Sequence, residues 1–131
     1  MLHVTGIDHV VLRVKDLPAM LGFYEGVLGC RVEVAREDLG LFQLRAGTSL
    51  IDLVPVTGRL GAAGGAAPGA EGRNLDHFCL RVEGFDLTAV TAHLTTHGVA
   101  VGESGVRNGA GGQGLSLYLK DPDGNDLELR G

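Results

Sequence analysis

At 131 residues the chain has the length of one domain and enough of it to bury a sizeable core. Apolar residues make up 44% and charged residues 21%, a globular balance that excludes a disordered chain. The formal net charge is −5 with no Lys/Arg block, and no apolar run approaches the roughly 18 residues of a membrane span, so nucleic-acid and membrane partners are not expected.

The opening MLHVTGIDHV lacks the basic-then-apolar layout of a signal peptide, and a cytoplasmic location is expected. A first strand is predicted over 6–14, with His9, Val11 and Arg13 on one face and Val10, Leu12 and Val14 on the other. A helix follows. Asp16 is its N-cap, Pro18 sits in its first turn, and Leu17, Met20, Leu21, Tyr24, Val27 and Leu28 form its apolar stripe up to Gly29. Three short strands are predicted next, at 30–37, 40–46 and 49–56, with turns at Asp38–Gly40 and Ala46–Gly47. The Gly/Ala/Pro-rich stretch 57–73 reads as a linker or loop.

The pattern then begins again. NLDHFCLRV (74–82) repeats GIDHVVLRV (6–14), each reading apolar-Asp-His, then apolar residues, then Leu-Arg-Val. A second helix is predicted with Asp86 as cap, Leu87, Val90 and Leu94 as its stripe, and Gly98 as its end. Strands follow at 99–103, 114–120 and 125–130, with a glycine-rich loop over 104–114 and a hairpin turn at Asp121-Pro122-Asp123-Gly124. The fold class expected is α+β. Two βαβββ modules, 1–56 and 74–131, would form a cupped mixed sheet with helices on its outer face, as a single domain over 1–131.

This alternation turns His9 and His77 toward the face the helices leave open. In the last strand Leu127 and Leu129 suit the helix-packed face, which puts Asp126 and Glu128 on the open one. Asp52 is an acid embedded in the apolar strand Leu50–Val54, and a buried carboxylate needs a partner: a cation, or Arg13, Arg45 or Arg81. Ile51-Asp52-Leu53 and Leu127-Glu128-Leu129 hold corresponding places in the two repeats. Two imidazoles and two carboxylates suit a first-row divalent cation with positions left for substrate. Cys79 shares a face with His77 but lies about 7 Å along the strand, so it lines the wall. Cys30 and Cys79 form neither a zinc pattern nor a disulfide scaffold. His3 falls at the terminus, and His93 and His97 on an exposed helix face.

With IDHVVLRVKDL, FYEGVLG, LDHFCLRV and the closing DPDGNDLEL, nearly the whole chain resembles the vicinal oxygen chelate superfamily. That group includes glyoxalase I, fosfomycin-resistance proteins, methylmalonyl-CoA epimerase, extradiol dioxygenases and bleomycin-binding proteins. The resemblance implies paired βαβββ modules cupped around one divalent metal (Ni, Co, Mn, Fe or Zn), held by His9, His77, Glu128 and Asp52. Asp52 stands where glyoxalase I has a glutamate, so it ligates, binds through water, or serves as a base. Arg13 matches an arginine that glyoxalase I uses on glutathione, Val56 replaces an expected asparagine, and Arg107 is a second cationic candidate at the substrate. The reaction implied is of lyase or isomerase type, as in lactoylglutathione lyase: the cation stabilises an enediolate while Glu128 or Asp52 removes a proton. The implied partners are a small-molecule substrate, such as a glutathione or other thiol adduct, and a second copy of the chain in a homodimer. The alternatives are an Fe²⁺ ring-cleaving dioxygenase and a non-catalytic drug-sequestering protein of the bleomycin-resistance kind.

Overall fold

A computed structural model of the chain describes all 131 residues, which divide into two compact units, Met1–Asn74 and Leu75–Gly131. The first unit runs β1 (His9–Val14), α1 (Leu17–Leu21), β2 (Val32–Arg36), β3 (Leu41–Ala46), β4 (Ser49–Pro55) and α2 (Arg59–Ala62). The second runs β5 (Phe78–Arg81), α3 (Leu87–Thr96), β6 (Val101–Gly109), β7 (Gly112–Lys120) and β8 (Asp126–Arg130). Each unit holds one four-stranded sheet. The orders are β1-β4-β3-β2 and β5-β8-β7-β6. In both, the first strand pairs in parallel with the last and the remaining pairs are antiparallel. The duplication seen in the sequence is therefore a duplication of topology.

Local chemistry explains the helix ends. Asp16 accepts a hydrogen bond from the Ala19 amide at 3.1 Å, and Asp86 from the Ala89 amide at 2.8 Å, so both predicted caps form. The first helix departs from its expected regular course to Leu28. α1 stops at Leu21, and a π-helical turn over Gly22–Val27 follows, in which the Leu28 amide reaches back to the Phe23 carbonyl at 3.0 Å. This widened turn carries Phe23 and Tyr24 inward together, where their rings meet edge to face at 5.0 Å.

In each unit one sheet face is apolar. Leu12, Leu44, Ile51 and Leu53 are buried with Met20, Phe23 and Tyr24 in the first, and Leu117, Leu119, Leu127 and Leu129 with Leu94 in the second. Strand pleat then forces the alternate residues to the other face. In the first unit these are His9, Val11, Arg13, Asp52 and Gln43, and in the second Cys79, Arg81, Glu128, Arg130, Ser116 and Tyr118.

Two glycine-rich stretches differ from expectation. The segment 104–114, expected as a loop, is mostly ladder: β6 and β7 pair up to Gly109 and Gly112. The reason lies outside the segment. A Cβ at Gly114 would stand 2.6 Å from Nη2 of Arg130, and one at Gly109 would collide with Nη1, so bare backbone is what lets this guanidinium lie against the hairpin. The stretch 57–73 belongs to the first unit and contains α2. Arg13 holds it: Nε donates to the Gly61 carbonyl at 2.9 Å, Nη1 to Ala66 at 2.9 Å and Nη2 to Gly65 at 2.6 Å. No helix in the chain is long and apolar enough to cross a membrane.

Candidate functional site

In the first unit the site candidates are His9, which opens β1, and Asp52, at the middle of β4. His9 Nδ1 donates to the Asp8 carboxylate at 2.6 Å. A carboxylate so placed raises the imidazole above its ordinary pKa, and Asp52 raises it further. It also fixes the tautomer, so that in the neutral ring the lone pair is on Nε2. Asp52 is only 3% exposed. Its Oδ2 accepts from Gln43 Nε2 at 3.0 Å, across the β3–β4 ladder, while its buried Oδ1 has no hydrogen-bond partner. Two of the arginines foreseen for Asp52 are committed elsewhere: Arg13 to the segment 61–66, and Arg45 to Glu33 at 2.8 and 3.0 Å. An orphaned buried carboxylate oxygen is costly, and a cation or a transferable proton would satisfy it.

The second unit repeats the arrangement. His77 Nδ1 donates to Asp76 at 2.6 Å, and its Nε2 stands 3.4 Å from Glu128 Oε2. The hydrogen bond from the ring to Asp76 raises the His77 pKa most, and Glu128 adds to it. Glu128 is 6% exposed, and its Oε1 accepts from the Ser116 hydroxyl at 2.5 Å. Tyr118 lies edge-on to His77 at 5.9 Å, and the Arg107 guanidinium lies over the same ring at 5.5 Å while pairing with Glu103 at 3.2 Å.

Each unit thus gathers one imidazole and one buried carboxylate, with a further carboxylate, Asp8 or Asp76, behind the imidazole. Within neither unit do three His, Cys, Asp or Glu side chains assemble as a complete metal cage. Imidazole nitrogen and carboxylate oxygen are nevertheless a donor set that suits a first-row divalent ion, and Asp52 Oδ1 is an acceptor in want of a partner. Arg13, expected to meet a substrate anion, has Nε, Nη1 and Nη2 each donating to a carbonyl of the segment 61–66, which leaves one further N–H on Nη1 and one on Nη2.

Four participants were not singled out from sequence: Asp8, Asp76, Gln43 and Ser116. The repeated Asp-His dipeptide was the signal for the first two. Gln43 and Ser116 carry none, since only ladder register sets them opposite Asp52 and next to Glu128.

The sequence model of the Glyoxalase/Bleomycin resistance protein/Dioxygenase superfamily matches residues 6–129. The chain belongs to that superfamily. Among its relatives, Virulence protein STM3117 of Salmonella typhimurium is 27% identical over 129 residues, covering 94% of this chain and 81% of that protein. Of solved structures, the integron cassette protein VCH_CASS1 of V. cholerae superposes with a TM-score of 0.78 at 28% identity, over 99% of this chain and 97% of that one. Lactoylglutathione lyase from Agrobacterium tumefaciens superposes with a TM-score of 0.71 at 20% identity, over 97% and 93%, and shares the fold. The α+β glyoxalase-like architecture expected from the sequence is therefore the one this superfamily member has.

Proposed function

We propose that the chain is a divalent-metal-dependent lyase or isomerase that removes a proton beside a substrate carbonyl, in the manner of a lactoylglutathione lyase. One observation carries the reading. Both halves of the duplication keep the same polar device, an Asp-braced imidazole on the face of a buried carboxylate. The candidate ligands are His9 and Asp52 in the first unit and His77 and Glu128 in the second. When bound, such an ion polarises a substrate oxygen as a Lewis acid.

The chain's own residues divide the remaining work. Asp8 and Asp76 keep Nδ1 of each imidazole occupied and leave Nε2 for ligation. Ser116 orients Glu128 through Oε1. Gln43 anchors Asp52 through Oδ2, which leaves Oδ1 to take up a proton. Both oxygens of Glu128 already have neighbours, so Asp52 is the better base of the two.

The test uses tag-free protein loaded in turn with Ni²⁺, Co²⁺, Mn²⁺ and Zn²⁺ and supplied with methylglyoxal and glutathione. Thioester formation is expected with at least one metal and is expected to fail in Asp52→Asn. No turnover with any of them removes the lactoylglutathione-lyase assignment, oxygen uptake with Fe²⁺ and a catechol would replace it with ring cleavage, and no metal-dependent gain in thermal stability would favour sequestration. Metal content is measured in a His93→Asn/His97→Asn background. Those two rings lie one helical turn apart with centroids at 4.4 Å, a spacing that chelates transition metals by itself.

The raised imidazoles give a pH signature. The metal-free protein gains stability from charged His9 and His77 at low pH and loses it as pH rises through their elevated pKa values. Metal binding runs the other way, because the ion must displace those protons. The metal-induced rise in Tm is therefore expected to grow from pH 6 to pH 8 (about the range around an ordinary imidazole pKa of roughly 6.5). A rise independent of pH would show that the imidazoles are not ligands.

A further inference from the structure

Two arginines on the polar face of the second unit stand out by their lack of acidic partners. Arg81 and Arg130 are register partners on the parallel strands β5 and β8, two residues beyond the pair Cys79 and Glu128 and on the same face. Neighbouring strands are about 4.8 Å apart, so these two cations leave the sheet side by side, an arrangement that costs stability when nothing lies between them. Arg130 is 7% exposed, and its hydrogen bonds go to carbonyls alone, Nη2 to Gly112 at 2.9 Å and Nη1 to Arg107 at 3.5 Å. Arg81 is exposed and makes neither an ion pair nor a hydrogen bond. It reaches the same hairpin: a Cβ at Gly111 would lie 3.6 Å from its Nη2. Ser116, opposite Arg130 across β7–β8, adds a hydroxyl to the same face.

Together the two arginines present an unfilled electrostatic demand. A buried guanidinium held by carbonyl dipoles keeps its full charge. A second guanidinium beside it, free in solvent, can turn its planar fork toward a shared ligand. Planar forks match the two oxygens of a carboxylate or phosphoryl group. The glycines at 109, 111 and 114 keep side chains out of the space the two guanidinia occupy.

We propose that Arg81 and Arg130 form an oxyanion subsite that takes the carboxylate or phosphoryl end of a small-molecule substrate. As a statement about substrate it rests on the reading that His77 and Glu128 mark the reacting end. Arg130 follows Glu128 by two residues along β8, or about 7 Å. The substrate class is thus a short molecule with its reacting oxygens at one end and an anionic group at the other. This subsite is separate from Arg13, which lies in the first unit and holds the segment 61–66.

The experiment needs no metal and no turnover, so it succeeds or fails separately from the proposed reaction. The full-length, metal-free chain is titrated with inorganic phosphate and, in a second arm, with acetate, at constant ionic strength. Tm and the arginine Nε–Hε resonances are followed. Saturable binding that perturbs Arg81 and Arg130 is expected, with at least tenfold weaker affinity in Arg81→Gln and in Arg130→Lys and no change in the control Arg45→Gln. Preference for phosphate or for acetate identifies which anionic end is read. Arg81 is exposed, so Arg81→Gln decides the matter even if Arg130→Lys does not fold. Binding unchanged in Arg81→Gln, equal weakening in Arg45→Gln, or no saturation with either anion would overturn the proposal.

Discussion

On the proposed metal-dependent reading, Glu128→Gln is expected to abolish most of the stability gained on adding a divalent ion. The substitution keeps the side chain's volume and its contact with Ser116 but replaces an anionic donor with a neutral amide. An ion present at 100 times its Kd stabilises the folded state by about 2.7 kcal/mol. Altering a residue merely behind the ligands typically weakens metal binding about 10–100-fold, and a ligand sits at the upper end of that range or beyond. With a 100-fold loss, the same metal concentration stabilises the variant by only about 0.4 kcal/mol. Urea unfolding with and without metal measures the difference, and the metal-free arm corrects for any intrinsic change. A variant that keeps the full metal-induced gain would remove Glu128 from the ligand set. Asp52→Asn run in parallel separates ligation from proton transfer, since a base that does not ligate loses turnover and keeps the metal-linked stability.

The second large effect is structural. Leu53→Ala and Leu127→Ala are each expected to destabilise the protein by about 2–5 kcal/mol, seen as a lowered urea midpoint at an unchanged m-value. Both leucines are 0% exposed and lie on β4 and β8, strands with a neighbour on each side. Leu53 directly follows Asp52 and Leu127 directly precedes Glu128, so removing either leaves a cavity in the strand that carries the acid. Domains of this size have only about 5–15 kcal/mol in hand. A loss below 1 kcal/mol at either position would mean that the two apolar sheet faces are not packed as described.

Much of this was legible in the chain. The alternation in 6–14 and 74–82 separated Leu12 and Val14 from His9 and Arg13, and the burial pattern of β1 follows it. Asp16 and Asp86 cap the helices they were expected to cap. His77 and Glu128, both expected on the open face, are neighbours in the second unit. Other features were not legible. The π-helical turn after α1 answers a packing demand of Phe23 and Tyr24 that helical periodicity does not encode. The stretch 104–114 looks like a loop because glycine lacks strand propensity, but its glycines make room for Arg130 on another strand.

The amino-acid sequence by itself determined the duplication, the faces of the strands and the helix starts. Each of these depends on residues within a few positions of one another, where the periods of 2 and 3.6 and the capping geometry apply. Only the tertiary structure decided which partner each long or polar side chain finds. Arg13 meets carbonyls of 61–66, Arg130 lies under a hairpin, and Asp52 keeps one oxygen bare, because the reach of a guanidinium or carboxylate is filled by whatever segment the ladder register brings beside it.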